Sequence, residues 1–202
     1  MRGIETGKTR LAPVLDAAAR ARLNRWLLTR TLDVIGQWQC TLARCIVVSP
    51  CAMTLELARL AGAETVHEHA DAQELNAAVA LGAAYAARRS AGRVLALPCD
   101  LPWITAESLT ALAREAGPPG HVVIAPDRAR NGTNALLIDV SPLPEFRFGS
   151  RSFARHLAWA AVRGRASTVL FRPELEFDLD TPEDFGVWSR GLMREPADVI
   201  LA

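Results

Sequence analysis

Lysine is almost missing from this sequence. Of its 23 basic residues, Lys8 is the single lysine and the other 22 are arginine. Acidic residues number 22, so the formal charge is only +1. That balance excludes nucleic-acid binding through a basic surface excess. The five tryptophans are scattered and form no stacking stripe for bases. No apolar run approaches the roughly 18 residues a membrane helix needs. The opening MRGIETGKTR has no hydrophobic segment of the kind that directs export. Cys40, Cys45, Cys51 and Cys99 show no CxxC spacing. This disfavours zinc and, with no export signal, indicates reduced, buried thiols in a cytoplasmic protein.

What is present is apolar: half of the 202 residues, against 22% charged, enough to bury a core. No repeat or linker divides the chain, so residues 1–202 read as one domain. Apolar spacing predicts helices over 16–37, 52–61, 72–89, 105–116, 150–163 and 181–190. Short apolar runs predict strands at 43–49, 64–67, 93–98, 121–125, 134–139, 168–171 and 176–179. Asp16 is the expected N-cap of the first helix. This alternation indicates an α/β protein whose mixed sheet is covered on both faces, with 121–139 as a hairpin insertion. In such sheets ligands bind beyond the C-terminal strand ends.

The loops at those ends carry the candidate chemistry. Gly7-Lys8-Thr9-Arg10 precedes a long helix, so two cations and free amides could meet phosphates there. The spacing does not satisfy a Walker loop, and a solvated basic leader is the competing reading. In a chain that otherwise uses arginine, one lysine suggests a compact point charge. Asp100 follows the strand at 93–98. Asp178 and Asp180 sit two apart on a strand and share a face. Three such carboxylates repel unless a cation joins them, a donor set suited to Mg²⁺ on phosphates. Asp180 also reads as an N-cap for Thr181-Pro182-Glu183. Phe148-Gly149-Ser150-Arg151-Ser152 opens a helix and could hold a small anion, or simply cap it. His67-x-His69-x-Asp71 reads as a polar turn. His121 and His156 read as structural.

Together these motifs resemble the 2-phospho-L-lactate guanylyltransferase family of coenzyme F-420 biosynthesis. The resemblance rests on Lys8-Thr9-Arg10-Leu11-Ala12-Pro13, Leu75-Asn76-Ala77-Ala78, Asp100-Leu101-Pro102, Pro126-Asp127-Arg128 with Gly132-Thr133-Asn134-Ala135-Leu136, Phe148-Gly149 with Ser152-Phe153-Ala154-Arg155-His156, and Asp178-Leu179-Asp180-Thr181-Pro182-Glu183-Asp184, in family order. It implies a Rossmann-like mixed sheet of the nucleotidyltransferase, glycosyltransferase-A kind. It implies transfer of a guanylyl group from GTP to 2-phospho-L-lactate, phosphoenolpyruvate or 3-phospho-D-glycerate, with release of pyrophosphate. It further implies that Asp100, Asp178 and Asp180 hold Mg²⁺. Lys8 and Arg10 would meet the GTP phosphates, and Ser49 and Asn76 would lie near the nucleoside. Thr133, Gly149 and Ser152 would hold the phospho-acid. The implied partners are these small molecules, with no nucleic acid and no membrane, and a homodimer is left open.

Three features depart from the family pattern. Arg151 and Glu74 stand where glycine is usual. The family also begins with a β-strand and a Pro-x-Lys turn ahead of the Lys-Thr-Arg-Leu motif, so this domain reads as lacking that first strand. The expected consequence is a gap in the sheet between the strands near 43–49 and 93–98. The alternatives are another nucleotidyltransferase, a glycosyltransferase of similar fold, or a non-catalytic binding homologue.

Overall fold

A computed structural model describes residues 4–38, 44–68 and 74–191. Cys40, His69 and Asp71 lie outside these residues, as do the expected start of the strand at 43 and of the helix at 72–73.

The chain enters through a short 3-10 turn at Thr9–Leu11 and a 21-residue helix, α1 (Ala17–Gln37). The Asp16 side chain accepts from Ala19 N–H at 2.7 Å and fixes the start of α1, as expected. Strand β1 (Ile46–Ser49), helix α2 (Ala52–Leu60) and strand β2 (Glu64–His67) form a parallel crossover unit, with Ser49 opposite His67. Then come α3 (Leu75–Arg88), β3 (Arg93–Ala96), α4 (Ala106–Arg114), β4 (Val122–Pro126), β5 (Thr133–Asp139), α5 (Ser152–Val162) and β6 (Ser167–Val169). The short helix α6 (Pro173–Glu176) and the helix α7 (Pro182–Gly191) complete the described fold.

The second sheet runs β3-β5-β4-β6. The 121–139 pair is antiparallel as expected, but it is no insertion. β5 lies between β3 and β4 and is antiparallel to both, so the hairpin is the middle of this sheet. Only β4 and β6 are parallel. A central strand must bury both faces, and β4 is buried at every position. Val122 and Ile124 pack with Leu136, Ile138, Ala83 of α3 and Trp159 of α5. Val123 and Ala125 turn to the other face, against Val34 of α1 and Leu109 and Leu112 of α4. The period of two in the strands therefore divides the core into two helix-covered layers.

No ladder joins β1 to β3 among the described residues: β1-β2 and the four-stranded sheet are separate. Among the described residues, then, the two sheets meet at the expected place without a shared ladder. Side chains bridge it, with Ile4, Leu28, Val47 and Leu55 in one apolar cluster that Cys45 and Cys99 also join. Burial pushes the Cys99 thiol up to about 12, so it stays protonated and inert.

The segment 176–179 is not a strand. The chain turns through α6 and then runs extended from Phe177, held by Leu179 N–H donating to Asp100 O at 3.0 Å. Its apolar alternation is real, since Phe177 and Leu179 are buried, but one backbone bond to the Asp100 loop replaces a ladder.

Candidate functional site

Three carboxylates converge beyond β3. Asp100 comes from the loop after β3, and Asp178 and Asp180 from the extended run that this loop holds through Leu179. Lys8 reaches into them from the 3-10 turn. Its ammonium donates to Asp100 Oδ2 at 3.0 Å and to Asp180 Oδ1 at 2.6 Å. Lys8 itself takes a left-handed backbone conformation, φ 56°. Beside it the chain must pass close to α1: Asn24 donates to Ile4 O at 2.7 Å, and a Cβ on Gly7 would lie 2.8 Å from Asn24 Nδ2. Gly7 is thus needed for close approach, and it delivers Lys8 to the carboxylates. Arg10 makes a longer, exposed ion pair with Asp180 at 3.5 Å.

The charges are unevenly satisfied. Burial opposes the charge on Lys8, but Asp100 and Asp180 overcome it and raise its pKa, so the ammonium is firmly protonated. Asp178 has no cationic partner among the described residues. Burial pushes its carboxyl up to about 6, and the charges of Asp100 and Asp180 push the same way, against one Asn134 amide at 3.5 Å. Asn134 was without a role in the sequence reading. It also donates to Leu175 O at 3.0 Å, which ties β5 to α6 and steers the Asp178 run.

The expected cap at Asp180 is corrected. Thr181 caps α7, its hydroxyl accepting from Asp184 N–H at 3.2 Å while the Asp184 carboxylate accepts back from Thr181 N–H at 2.9 Å, and Asp180 turns to Lys8 and Arg10. Arg128 pairs with Asp184 at 3.2 Å and lies over the Phe177 ring. Between Arg10, Arg128, Asp178 and Asp180 opens a cleft of about 210 Å³. Neither Arg128 nor Asp184 was singled out individually; both lie in motifs read as whole stretches.

The donor chemistry fits a hard divalent cation. All three acidic groups offer oxygen, and the excess negative charge at Asp178 is what such an ion would relieve. Among the described residues no group of three His, Cys, Asp or Glu side chains is placed to hold a metal ion as it stands. The Lys8 ammonium instead lies between Asp100 and Asp180 and serves as their cation.

A second group lies at the turn into α5. Gly149 has φ 108° and Arg151 φ 55°, both left-handed, so Arg151 occupies a conformation that glycine adopts without strain. Ser152, the first residue of α5, is buried and its N–H donates to Gly149 O. Thr133, at the start of β5, faces His156 of α5 at 2.9 Å. Thr133, Gly149 and Ser152 are thus brought together by one turn and one helix end.

The two residues expected near the nucleoside are engaged within the fold. Asn76 brackets Phe148: its amide donates to Phe148 O at 3.2 Å, and its carbonyl accepts from Phe148 N–H at 2.7 Å. It thereby holds the 148–152 turn against α3. Ser49 is fully buried, and its Oγ accepts from Cys51 N–H at 3.1 Å.

Comparison with known proteins adds the following. The family model described as "Guanylyl transferase CofC like" matches residues 1–188. The phosphoenolpyruvate guanylyltransferase of Rubrobacter xylanophilus is 43% identical over 177 residues, covering 88% of this chain and 84% of that one. The 3-phospho-D-glycerate guanylyltransferase of Phenylobacterium zucineum is 34% identical over 197 residues, covering 95% and 88%. Among solved structures, a Desulfovibrio desulfuricans protein assigned as a nucleotide-diphospho-sugar transferase superposes with TM-score 0.71 at 14% identity, covering 96% and 86%. A Methanothermobacter nucleotidyl transferase superposes at 0.62 with 18% identity, covering 82% and 79%. At such identities the structures speak to the fold alone, and it is that of nucleotidyl and nucleotide-sugar transferases.

Proposed function

This chain belongs to the CofC-like guanylyl transferases and is a nucleotidyltransferase, and from that premise we propose its reaction. GTP and a phosphorylated three-carbon acid give a guanylylated acid and pyrophosphate. Phosphoenolpyruvate and 3-phospho-D-glycerate are the acids named for the relatives; 2-phospho-L-lactate is the third candidate. The product would serve coenzyme F-420 biosynthesis in the cytoplasm. The observation that carries this reading is the Lys8 ammonium held by Asp100 and Asp180, with Asp178 near enough to feel the charge of both carboxylates.

A phosphate oxygen of the acid attacks the α-phosphorus of GTP. A new P–O bond forms as the bond to the β-phosphate breaks, and pyrophosphate leaves with its electron pair. The attacking phosphate is already ionised, so no side-chain base is required. Both reactants are anions, so the protein's tasks are charge balance and alignment. Lys8 and Arg10 supply positive charge on one side of the cleft. Asp100, Asp178 and Asp180 would hold Mg²⁺, which when bound neutralises triphosphate charge and polarises the α-phosphoryl group. Asn134 keeps Asp178 in place, and Asn76 keeps the 148–152 turn in place. Thr133, Ser152 and the Gly149 backbone offer donors to the acid.

Pyrophosphate release, measured with GTP, CTP and ATP against each of the three acids, tests the reading. Release dependent on GTP and one of the acids is expected. No preference for GTP, or no release with any of the acids, overturns it.

A further inference from the structure

His156 is read from sequence as structural, yet its two ring nitrogens are both committed. The Arg147 backbone N–H donates to Nε2 at 3.2 Å. An amide N–H can only donate, so Nε2 is the unprotonated nitrogen. In a neutral ring the hydrogen then resides on Nδ1, which faces Thr133 Oγ1 at 2.9 Å. The opposite tautomer would set two N–H groups against each other.

The consequence falls on Thr133. Its hydroxyl has one hydrogen and two lone pairs. One lone pair accepts from His156 Nδ1–H, and the hydrogen, having no use toward the ring, is left to donate elsewhere. Thr133 stands where β5 begins, and its ring partner His156 lies one turn into α5, the helix that the Gly149–Ser152 turn opens. His156 is only 2% exposed, and its ring meets the edge of Phe148 at 5.0 Å, so it cannot swing away. Phe148 in turn is pinned by Asn76.

We infer that His156 is a positioning residue that orients the Thr133 hydroxyl as a donor toward the anionic acid. It touches neither substrate nor nucleotide and acts through the Thr133 oxygen alone. This rests on the placement of the acid at Thr133 proposed above. The device has a chemical logic. A free threonine rotor can present either a lone pair or a hydrogen, and a lone pair repels a carboxylate or phosphate oxygen. A ring nitrogen that donates to the hydroxyl removes the wrong choice before the ligand arrives.

Steady-state kinetics on Thr133→Val, His156→Phe, the double variant and His156→Asn test it, using GTP and whichever acid supports turnover. His156→Phe is expected to raise the KM for the acid about tenfold and leave the KM for GTP within twofold. In the Thr133→Val background the same change is expected to add nothing, since its target is gone. His156→Asn, which keeps an N–H near the Nδ1 position, is expected to recover most of the loss. Should His156→Phe not fold, His156→Asn is compared with His156→Gln, whose amide lies nearer the Nε2 position; Asn is then expected to be the better variant. Equal losses for acid and GTP, or a full His156→Phe penalty on top of Thr133→Val, overturn the inference and leave His156 a packing residue. Thr133→Val with an unchanged KM for the acid removes the acceptor site itself, a distinct failure.

Discussion

Lys8 Nζ lies 2.6 Å from Asp180 Oδ1 across a separation of 172 residues. The lone lysine of the sequence is thus a bolt between the two ends of the described chain, inside the candidate active site. Lys8→Met removes the cation from two carboxylates that stay in place. The metal-free protein is expected to lose about 2 kcal/mol, read by thermal or denaturant unfolding. Mg²⁺ should restore part of it, because the freed carboxylates become better ligands, while turnover falls about 10²- to 10³-fold. Undiminished turnover would remove Lys8 from the site.

Asp100→Ala and Asp178→Ala are each expected to lower turnover to near background. Their effects should be far from additive, because both act on one cation cluster. A wild-type rate in either variant would show that the carboxylate does not serve the reaction.

Arg151→Gly relieves a left-handed arginine (φ 55°) at the entrance to α5. The gain in stability should be only about 0.5 kcal/mol, since glycine also frees the unfolded chain. The ranking of phosphoenolpyruvate, 3-phospho-D-glycerate and 2-phospho-L-lactate as acceptors is expected to change. An identical ranking would mean that the guanidinium plays no part in choosing the acid.

Burial, with Arg155 and Arg147 nearby, pushes His156 down to about 4 from its usual 6.5. The folded state therefore keeps the ring neutral where the unfolded chain would protonate it. The unfolded state binds more protons between these values, so stability falls as the pH drops from about 6.5 toward 4, by up to about 1.4 kcal/mol per pH unit. Above pH 7 this group adds no slope. Comparing pH-dependent unfolding of the wild type with His156→Asn isolates the contribution; parallel curves would contradict it.

Gly7→Ala places a methyl group 2.8 Å from Asn24 Nδ2. The close approach of Ile4 to α1 must then shift, at a cost of about 1–3 kcal/mol. Because Lys8 follows directly, catalytic loss should exceed what the stability change accounts for.

How much of this was legible in the sequence varies with the interaction. Periodicity placed every described helix except the one-turn α6, and Asp16 announced α1. The meeting of Asp100 with Asp178 and Asp180 was legible because carboxylates just past buried apolar runs have few other uses. The 176–179 run was misread because burial alternates there without a ladder, and alternation reports burial rather than pairing. The hairpin's central position was hidden because strand order depends on distant partners: Val94 opposite Ile138 has no local signal. Asp180 was weighed as a cap because Asp before Thr-Pro-Glu is a good cap; Thr181, one residue on, holds that role through its hydroxyl, with Asp184 bonding back to it. Asn76 and His156 were underread for one reason. Their partners, the Phe148 backbone and the Thr133 hydroxyl, are brought near only by the fold.

The seam between the two sheets has a consequence for motion. Where strands share a ladder, exposing one breaks backbone bonds of its neighbour, and the sheet opens as a whole. Across the β1–β3 seam no ladder joins the described residues, and what is lost there is the side-chain packing of one apolar cluster. The β1-α2-β2 unit should therefore be its own cooperative unit, with amide hydrogens that exchange through openings costing less free energy than those of β4 and β5. A nucleotide gripping both sides of the seam would slow exchange in β1 and β2 far more than in β4, so protection factors alone would reveal whether it spans the two halves.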